Sequence, residues 1–175
     1  LVEVFLEKSE NLSLLAEQED ISNVSPSFGV GAGIRVFLGK KDGFVSTNDL
    51  SREGLLFALH QALGMLGLTA GSKNTKKFDG LGDLKDFATI KNNWLSESPD
   101  IQESTLRLLD ATKSLSQKNQ NLQVRRASYS RNWQEVLIAA SDGVFARDIR
   151  LHQTVGINVI AQKDKNRSTS ARRYG

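Results

Sequence analysis

The spacing of apolar residues changes twice along this 175-residue chain, and this change constrains the fold more than any other feature. In the first 44 residues apolar and polar side chains alternate, as at Val2, Val4 and Leu6, which is typical of strands with one buried face. Helical spacing follows over residues 51–117, and alternation returns over 122–162. The sequence therefore predicts an α+β fold with an antiparallel strand block, two main helices and a second antiparallel strand block.

Two helices are predicted between the strand blocks. The first begins after the N-cap candidate Ser51, has Glu53 in its first turn and stops at Gly67. The second is announced by Ser-Pro-Asp at residues 98–100 and ends near Gln117. Their predicted apolar stripes are Leu55, Leu56, Leu59, Leu63 and Leu66 in the first helix, and Ile101, Leu108, Leu109 and Leu115 in the second.

The predicted strands are short and joined by turns. In the first block, residues 2–7 and 12–16 form a hairpin around residues 10–11, and a third strand at 34–38 precedes a turn at 39–43. The second block contains strands at 122–129, 133–140, 144–152 and 154–162, and Asp142-Gly143 marks a tight turn. We expect one domain over residues 1–162, with a possible flexible excursion at 70–86, followed by a mobile polar basic tail at 163–175.

Composition excludes several kinds of site. The chain has no cysteine and two histidines, so it offers no disulfide, thiolate ligand or cysteine nucleophile. No apolar run is long enough to span a bilayer, and no basic-then-apolar signal segment opens the sequence, so we expect no membrane association. The absence of cysteine is compatible with a cytoplasmic protein. The net charge of +3 comes largely from the tail, which we expect to be solvated rather than bound to nucleic acid.

Three alternate glycines, Gly29, Gly31 and Gly33, resemble part of a nucleotide-binding loop. That loop requires a helix after its glycines, whereas Ile34-Arg-Val-Phe-Leu38 has the pattern of a strand. Glycines at the beginning of a strand more often indicate a bulge or a close backbone approach. We therefore predict no phosphate site here.

The remaining candidates for chemistry are few. His60 and His152 lie far apart in sequence, neither has a metal-binding partner at helical spacing, and we expect both at the surface. Asp148 and Arg150 share one face of a strand, so a cross-strand or diagonal ion pair is a simpler explanation than acid–base catalysis with Asp142. The residues alone indicate an α+β domain without a visible catalytic site.

Two motifs resemble those of the TldD/PmbA family. The first is Gly-Val-Gly-Ala-Gly-Ile-Arg at residues 29–35, followed by Gly-Phe-Val-Ser-Thr-Asn-Asp at 43–49 and the first helix. The second is Ser-Asp-Gly at 141–143, followed by Asp-Ile-Arg at 148–150, which is similar to the TldD branch. The order and spacing of strands and helices also agree, so the resemblance extends over nearly the whole chain.

The resemblance implies a cytoplasmic zinc metallopeptidase of paired subunits that cleaves unfolded or extended peptides. Members are linked to microcin maturation and antitoxin degradation and were called modulators of DNA gyrase. The family's zinc site uses H-E-x-x-x-H and a later cysteine, which this chain lacks. We therefore expect no cofactor and no catalytic residue in this chain, and zinc in a longer parent whose catalytic domain follows the tail; the first residue, Leu1, also suggests a fragment or a processed product.

The implied role is that of a non-catalytic N-terminal domain that shapes a substrate channel and a subunit contact. We expect Gly29, Gly31, Gly33 and Arg35 to approach an extended peptide, which a sheet can bind as an added strand. The hairpin at Asp142 and Gly143 is a second candidate, in which Asp148 and Arg150 hold either the shape of the hairpin or its contact with an identical or sister subunit. The alternatives are a freestanding peptide-binding adaptor and a gyrase- or nucleic-acid-associated modulator.

Overall fold

Long antiparallel strands form most of the computed structural model, which describes residues 1–69, 80–83, 85–86, 100–119 and 121–175. The α+β class and the order of strands, helices and strands are confirmed. The elements in chain order are β1 (Val2–Glu17), β2 (Asp20–Leu38), β3 (Lys41–Thr47), α1 (Arg52–Met65), β4 (Lys85–Asp86), α2 (Ile101–Lys118), β5 (Leu122–Ala140), β6 (Phe145–Lys163) and β7 (Asn166–Tyr174).

Within the described residues, the strands form one sheet with the order β3-β2-β1-β5-β6-β4, and β7 also pairs with β6. β2 pairs with β3 in antiparallel register, with Arg35 opposite Phe44. The short β4 is parallel to β6, with Lys85 opposite Ala146. No helix in the described ranges is long and apolar enough to cross a membrane.

The main strands are longer than the sequence predicts. The hairpin around residues 10–11 is wrong, because β1 continues to Glu17 and the turn lies at Gln18 and Glu19, where Gln18 has a φ of 65°. Leu12, Leu14 and Ala16 are buried and occupy even-numbered positions, as the apolar residues Val2, Val4 and Leu6 do. A single strand therefore explains the whole apolar alternation. The breaks predicted near residues 130 and 153 are wrong for the same reason, since β5 and β6 run through them.

Both predicted tight turns are confirmed. Gly39 has a φ of 62° in the turn between β2 and β3. Gly143 has a φ of 100°, and its N–H donates to the carbonyl oxygen of Ala140 over 3.0 Å. Asp142 Oδ1 accepts a hydrogen bond from the Val144 N–H over 3.4 Å. Glycine is favoured at both positions, because a side chain adds strain in the left-handed region.

A chain of side-chain hydrogen bonds leads from β3 into α1. Thr47 Oγ1 accepts from the Asp49 N–H (3.1 Å), Asp49 Oδ1 accepts from the Ser51 N–H (2.9 Å), and Ser51 Oγ accepts from the Gly54 N–H (3.1 Å). The hydrogen bonds from Ser51 lower the pKa of Asp49. The predicted N-cap is thus confirmed. At the other end of α1, Gly67 (φ 67°) ends the helix as predicted.

Two alanines are the fully buried residues of α1, while Leu55, Leu59, Leu63 and Leu66 of the predicted stripe are half-buried. Ala58 and Ala62 are buried, whereas Leu56 is exposed and its neighbour Phe57 is 64% exposed. The helix approaches β3 so closely that a Cβ on Gly43 would lie nearer to the Ala62 carbonyl oxygen than van der Waals contact allows. Small residues therefore occupy the line of closest approach.

The chain divides into two compact units. The first consists of Leu1–Ser9, Gly29–Thr89 and Gln134–Arg150, and the second of Glu10–Phe28, Ile90–Trp133 and Leu151–Gly175. The prediction of one domain over residues 1–162 stays a prediction. In the first unit, β2 buries Ala32, Ile34 and Val36, while α1 buries Ala58 and Ala62.

The second unit has its own core, formed by β1, β5 and α2. Its buried cluster consists of Leu12, Leu14, Ala16, Leu108, Ala127 and Tyr129. In α2 the predicted core residue Leu108 is confirmed, whereas Ile101 is exposed and Ser104 and Thr112 are buried beside Leu108. Asp100 is the N-cap residue, and residues 98 and 99 of the predicted start lie outside the described part.

The predicted mobile tail is instead a strand. β7 pairs antiparallel with β6, from Lys163 opposite Asn166 to Val155 opposite Tyr174. All nine of its residues are exposed, so the sequence carries no apolar alternation that would reveal it. Backbone hydrogen bonds to an existing edge are sufficient to form such a strand. The flexible excursion predicted at 70–86 falls mainly on residues outside the described part.

Two glycine substitutions test the close approach of α1 to β3. We expect Gly43→Ala to lower the free energy of unfolding by about 1–3 kcal/mol, because the new Cβ overlaps the Ala62 carbonyl oxygen. Gly64→Ala is the matched control in α1, where an added Cβ meets nothing within 4 Å. It should raise stability by about 0.5–1 kcal/mol. Urea denaturation measures both; an unchanged midpoint for Gly43→Ala contradicts this packing.

Candidate functional site

Gly29, Gly31 and Gly33 lie at alternate positions of β2 and therefore on one face of the sheet. The opposite face of the same stretch carries the buried Ala32 and Ile34. β2 continues past the glycines to Leu38, so no helix N-terminus follows them. A dinucleotide loop of the usual kind therefore does not form here.

The strands on either side of β2 supply the residues beside these glycines. On the β3 side, Gly33 is opposite Ser46. On the β1 side, the Phe37 N–H donates to the Leu1 carbonyl oxygen over 2.8 Å. Counting along this antiparallel pair places Phe5 beside Gly33, Glu7 beside Gly31 and Ser9 beside Gly29.

The result is an open cavity of about 300 Å³ that we call the glycine trough. Its floor is the backbone of β2. Side chains of β1 form one wall, and side chains of β3 and of Asn48, which follows β3, form the other. The lining residues are Phe5, Glu7, Ser9, Gly29, Val30, Gly31, Ala32, Gly33, Phe44, Ser46, Thr47 and Asn48. From Gly29 to Gly33 the floor is about 14 Å long.

Side chains lean over the floor from both walls. A Cβ on Gly29 would lie 2.9 Å from Ser9 Oγ, one on Gly31 would lie 3.2 Å from Asn48 Oδ1, and one on Gly33 would lie 2.9 Å from Phe44 Cε2. Side chains of this chain therefore lie over all three glycines, whereas the predicted approach of another backbone stays a prediction. Larger residues would displace the walls and fill the trough.

Arg35 stands at the end of the trough, two residues beyond Gly33. Its Nε lies 3.1 Å from Asp42 Oδ2, and its guanidinium carbon lies 5.6 Å from the centre of the Phe37 ring and 5.8 Å from that of Phe44. These contacts hold the arginine against the sheet through an ion pair and cation–π attraction. Arg35 is thus adjacent to the predicted glycines but is not among the lining residues.

The hairpin residues predicted as a second candidate site are not part of the trough. Asp148 Oδ2 lies 2.6 Å from Arg150 Nε, so an ion pair is present, but it forms within β6 and not across or diagonally between strands as predicted. Asp142 and Gly143 form the turn that precedes this strand. Strand β5 separates β6 from β1, so the hairpin and the trough occupy different positions in the sheet order.

Sequence reasoning missed the walls of the trough. Phe5 and Glu7 belong to no motif, and although Phe44 lies in the motif at residues 43–49, its proximity to them depends on the pairing of three strands. The alternation in β1 assigns Phe5 and Glu7 to the face away from Val4 and Leu6, which was the one available signal. That signal does not specify which residues lie opposite.

Two family models match the chain. Residues 2–66 match PmbA/TldA metallopeptidase domain 1, and residues 94–175 match the PmbA/TldA metallopeptidase central domain. Together the matches include most of the chain. The chain therefore belongs to the TldD/PmbA family of metallopeptidase-like proteins.

The relatives are much longer than this chain. A metalloprotease TldD homolog of Haemophilus influenzae is 25% identical over 166 residues, which is 94% of this chain and 34% of that protein. The chain thus spans about a third of the length of this relative.

Solved structures show the same fold. A candidate modulator of DNA gyrase from Thermotoga maritima superposes with a TM-score of 0.75 at 17% identity, over 98% of this chain and 38% of that one. TldE from Thermococcus kodakarensis superposes with a TM-score of 0.65 at 19% identity, over 98% of this chain and 39% of that one. At these identities the superpositions show the fold alone.

The residues of this chain do not fit the zinc site that the family name implies. His60 lies on α1 and His152 on β6, both are exposed, and they belong to different units. Within the described ranges, no three histidine, aspartate or glutamate side chains are grouped as metal ligands would be. A structural or catalytic zinc site takes three or four protein ligands.

We expect the chain to hold less than 0.1 zinc per molecule after dialysis against metal-free buffer. It should also leave an unfolded protein such as casein uncleaved, because two distant histidines cannot form a zinc site. Atomic emission and a fluorescent casein assay measure these two properties. One zinc per chain, lost together with cleavage on chelation, contradicts the expectation.

The basic residues of β7 do not form one continuous patch. Arg172 and Arg173 are consecutive in the strand, so their side chains point to opposite faces. Arg167 shares a face with Arg173 but lies six residues away, about 20 Å along the strand. Few phosphates can therefore be contacted at once.

We accordingly expect weak binding of duplex DNA, with a dissociation constant of about 10⁻⁴–10⁻⁶ M and a shallow dependence on salt. Fluorescence anisotropy at several salt concentrations measures both quantities. An Arg167→Ala, Arg172→Ala, Arg173→Ala variant should abolish what binding there is. Sub-micromolar, sequence-selective binding that survives in this variant contradicts the expectation.

Proposed function

We propose that this chain is a non-catalytic part of a zinc metallopeptidase and that its glycine trough guides an extended peptide along the wall of a substrate channel. The observation that supports this most directly is the row of three glycines, about 14 Å or four residues long, that add no side chains of their own to one face of the sheet. The name of the Haemophilus influenzae relative, a metalloprotease homolog, supports the reaction class. Zinc and its ligands would then belong to a segment beyond this chain.

The paired state of β2 changes the expected mode of binding. Strand addition requires a free edge, but β2 pairs with β3 from Ala32 to Leu38 and has β1 on its other side. At Gly33 no edge is therefore available for an added strand. We propose instead that a peptide lies across the face of the sheet, with a side chain in the trough between the walls.

The trough suits unfolded peptides for a steric reason. Its floor is backbone, and its walls rise on two sides along the direction of β2, so an extended segment fits more readily than a folded surface. Phe5 and Phe44 offer apolar area, while Ser9, Ser46 and Asn48 offer hydrogen-bonding groups. Such a mixture of contacts favours a chain with accessible side chains over one particular sequence.

We further propose that the β5–β6 hairpin contacts a second subunit, which is either a second copy or a sister protein. The Asp148–Arg150 ion pair fixes the direction of two charged groups near the turn at Asp142 and Gly143. Paired charges of this kind can set the register of an interface. The parent would be a cytoplasmic dimer in which this chain shapes the channel.

The proposed role of the trough is tested by filling it. Gly31→Val adds a branched side chain to the floor, where the new Cβ lies 3.2 Å from the Asn48 side chain and requires only a small shift. We expect the affinity for a fluorescently labelled unfolded peptide to fall at least tenfold, because the added methyl groups occupy the space of the ligand. Fluorescence anisotropy measures the affinity, and circular dichroism checks the fold.

Gly64→Ala is the control, since it adds a methyl group in α1 away from the trough. It should bind the peptide as the unaltered chain does. In the longer parent, Gly31→Val should reduce peptide turnover at unchanged zinc content. A folded Gly31→Val variant with unchanged affinity and turnover would show that the trough has no part in peptide binding.

A further inference from the structure

The geometry of the trough points to its preferred ligand: we infer that it selects extended peptides with a lysine or arginine side chain. The aliphatic part of this side chain lies on the glycine floor between Phe5 and Phe44, and its cationic head lies beside Glu7. This inference rests on the function proposed above and adds the chemical class of the substrate side chain.

The charge of the trough is negative. Glu7 is the one ionisable side chain among the residues that line it. Within the described residues Glu7 forms no salt bridge. The nearest cation at the end of the trough, Arg35, is held by Asp42 at 3.1 Å. The carboxylate of Glu7 is therefore available to a cation that enters from outside.

The aromatic walls suit a long side chain with a positive end. Phe5 is 38% exposed and Phe44 is 51% exposed, so each ring presents a face or an edge to an incoming group. A cation within about 6 Å of an aromatic ring is attracted by its quadrupole. Arg35 already makes this contact with Phe44 at 5.8 Å, which shows that the ring accepts a guanidinium in this fold.

The distances along the strand match the length of the side chain. Phe5 and Glu7 are two residues apart on one face of β1, a separation of about 7 Å. A lysine side chain spans about 6 Å from Cα to its ammonium group, so a lysine seated between the rings brings its nitrogen to Glu7. Gly31 and Gly33 add no side chains of their own, so the lysine side chain would pack against the Phe44 ring and the Asn48 side chain that lie over them.

Polar groups near Glu7 complete the site for an ammonium group. Asn48 Oδ1 stands over Gly31 on the wall opposite Glu7, and Ser9 Oγ stands over Gly29. An ammonium group has three donors and no acceptor, so a carboxylate, an amide oxygen and a hydroxyl are suitable partners. An apolar side chain would displace water from the Glu7 carboxylate without replacing the hydrogen bonds of that water. An acidic side chain would be repelled by the carboxylate.

The test uses three peptides of one extended, otherwise uncharged sequence with lysine, norleucine or glutamate at the central position. Norleucine keeps the aliphatic part of lysine and removes the charge. We expect the lysine peptide to bind this chain about tenfold more tightly than the norleucine peptide, and the glutamate peptide to bind most weakly. Fluorescence anisotropy at low and physiological salt measures the three affinities.

Glu7→Gln should abolish the preference for lysine while leaving the affinity for norleucine unchanged. Glu3→Gln is the matched control, because Glu3 lies on the same face of β1 but outside the trough. It should keep the full preference. Phe44→Leu should weaken lysine binding more than norleucine binding, since it removes the aromatic ring and keeps an apolar side chain.

The outcomes separate this inference from the proposed function. Equal binding of the lysine and norleucine peptides overturns the cation preference and leaves the peptide-guiding role intact. A preference that persists in Glu7→Gln, or that disappears equally in Glu3→Gln, overturns the assignment to Glu7. If none of the peptides binds, the proposed function fails, and this inference fails with it.

Discussion

The pairing of β1 with β2 is the constraint on which the rest of the structure depends. Backbone hydrogen bonding between Phe37 and Leu1 fixes the register, and Ser9 beside Gly29 agrees with it. A slip of one residue would exchange the faces of a whole strand, because side chains alternate. The same register places Phe5 and Glu7 beside the glycines and leaves the even-numbered residues of β1 for the cores. Folding and the candidate site therefore use one hydrogen-bond ladder.

In the first unit, one face of β2 packs in the core and the other face carries the three glycines. Its even-numbered residues Ala32, Ile34 and Val36 are buried. Its odd-numbered residues include the three glycines, which contribute nothing to a core and weaken a strand through their conformational freedom. This loss of strand stability is expected where the backbone must stay accessible. The neighbouring side chains that lie over the glycines partly offset the loss. This division is the physical basis for proposing a binding role for the trough.

The family assignment and the compact units divide the chain differently. The two family models match consecutive segments, residues 2–66 and 94–175. Each compact unit, however, contains residues from both segments, because β1, β2, β5 and β6 each contribute to both units. β1 pairs with β5 across the sequence gap, so each matched segment supplies strands that the other needs. The metallopeptidase chemistry of the family requires residues that this chain does not supply.

The sequence alone determined the local features of this protein. Its apolar periodicity gave the α+β class and both helices, Ser51 and Gly67 marked the ends of α1, and the Asp148–Arg150 pair followed from strand alternation. These features depend on residues close in sequence. The tertiary structure alone decided the length of the strands, the strand formed by Asn166–Tyr174, the complete burial of Ala58 and Ala62, and the walls of the trough. Each of these features depends on which strands or helices lie next to each other in the fold. Backbone hydrogen bonds between strands that are distant in sequence leave no pattern in the side chains of those strands.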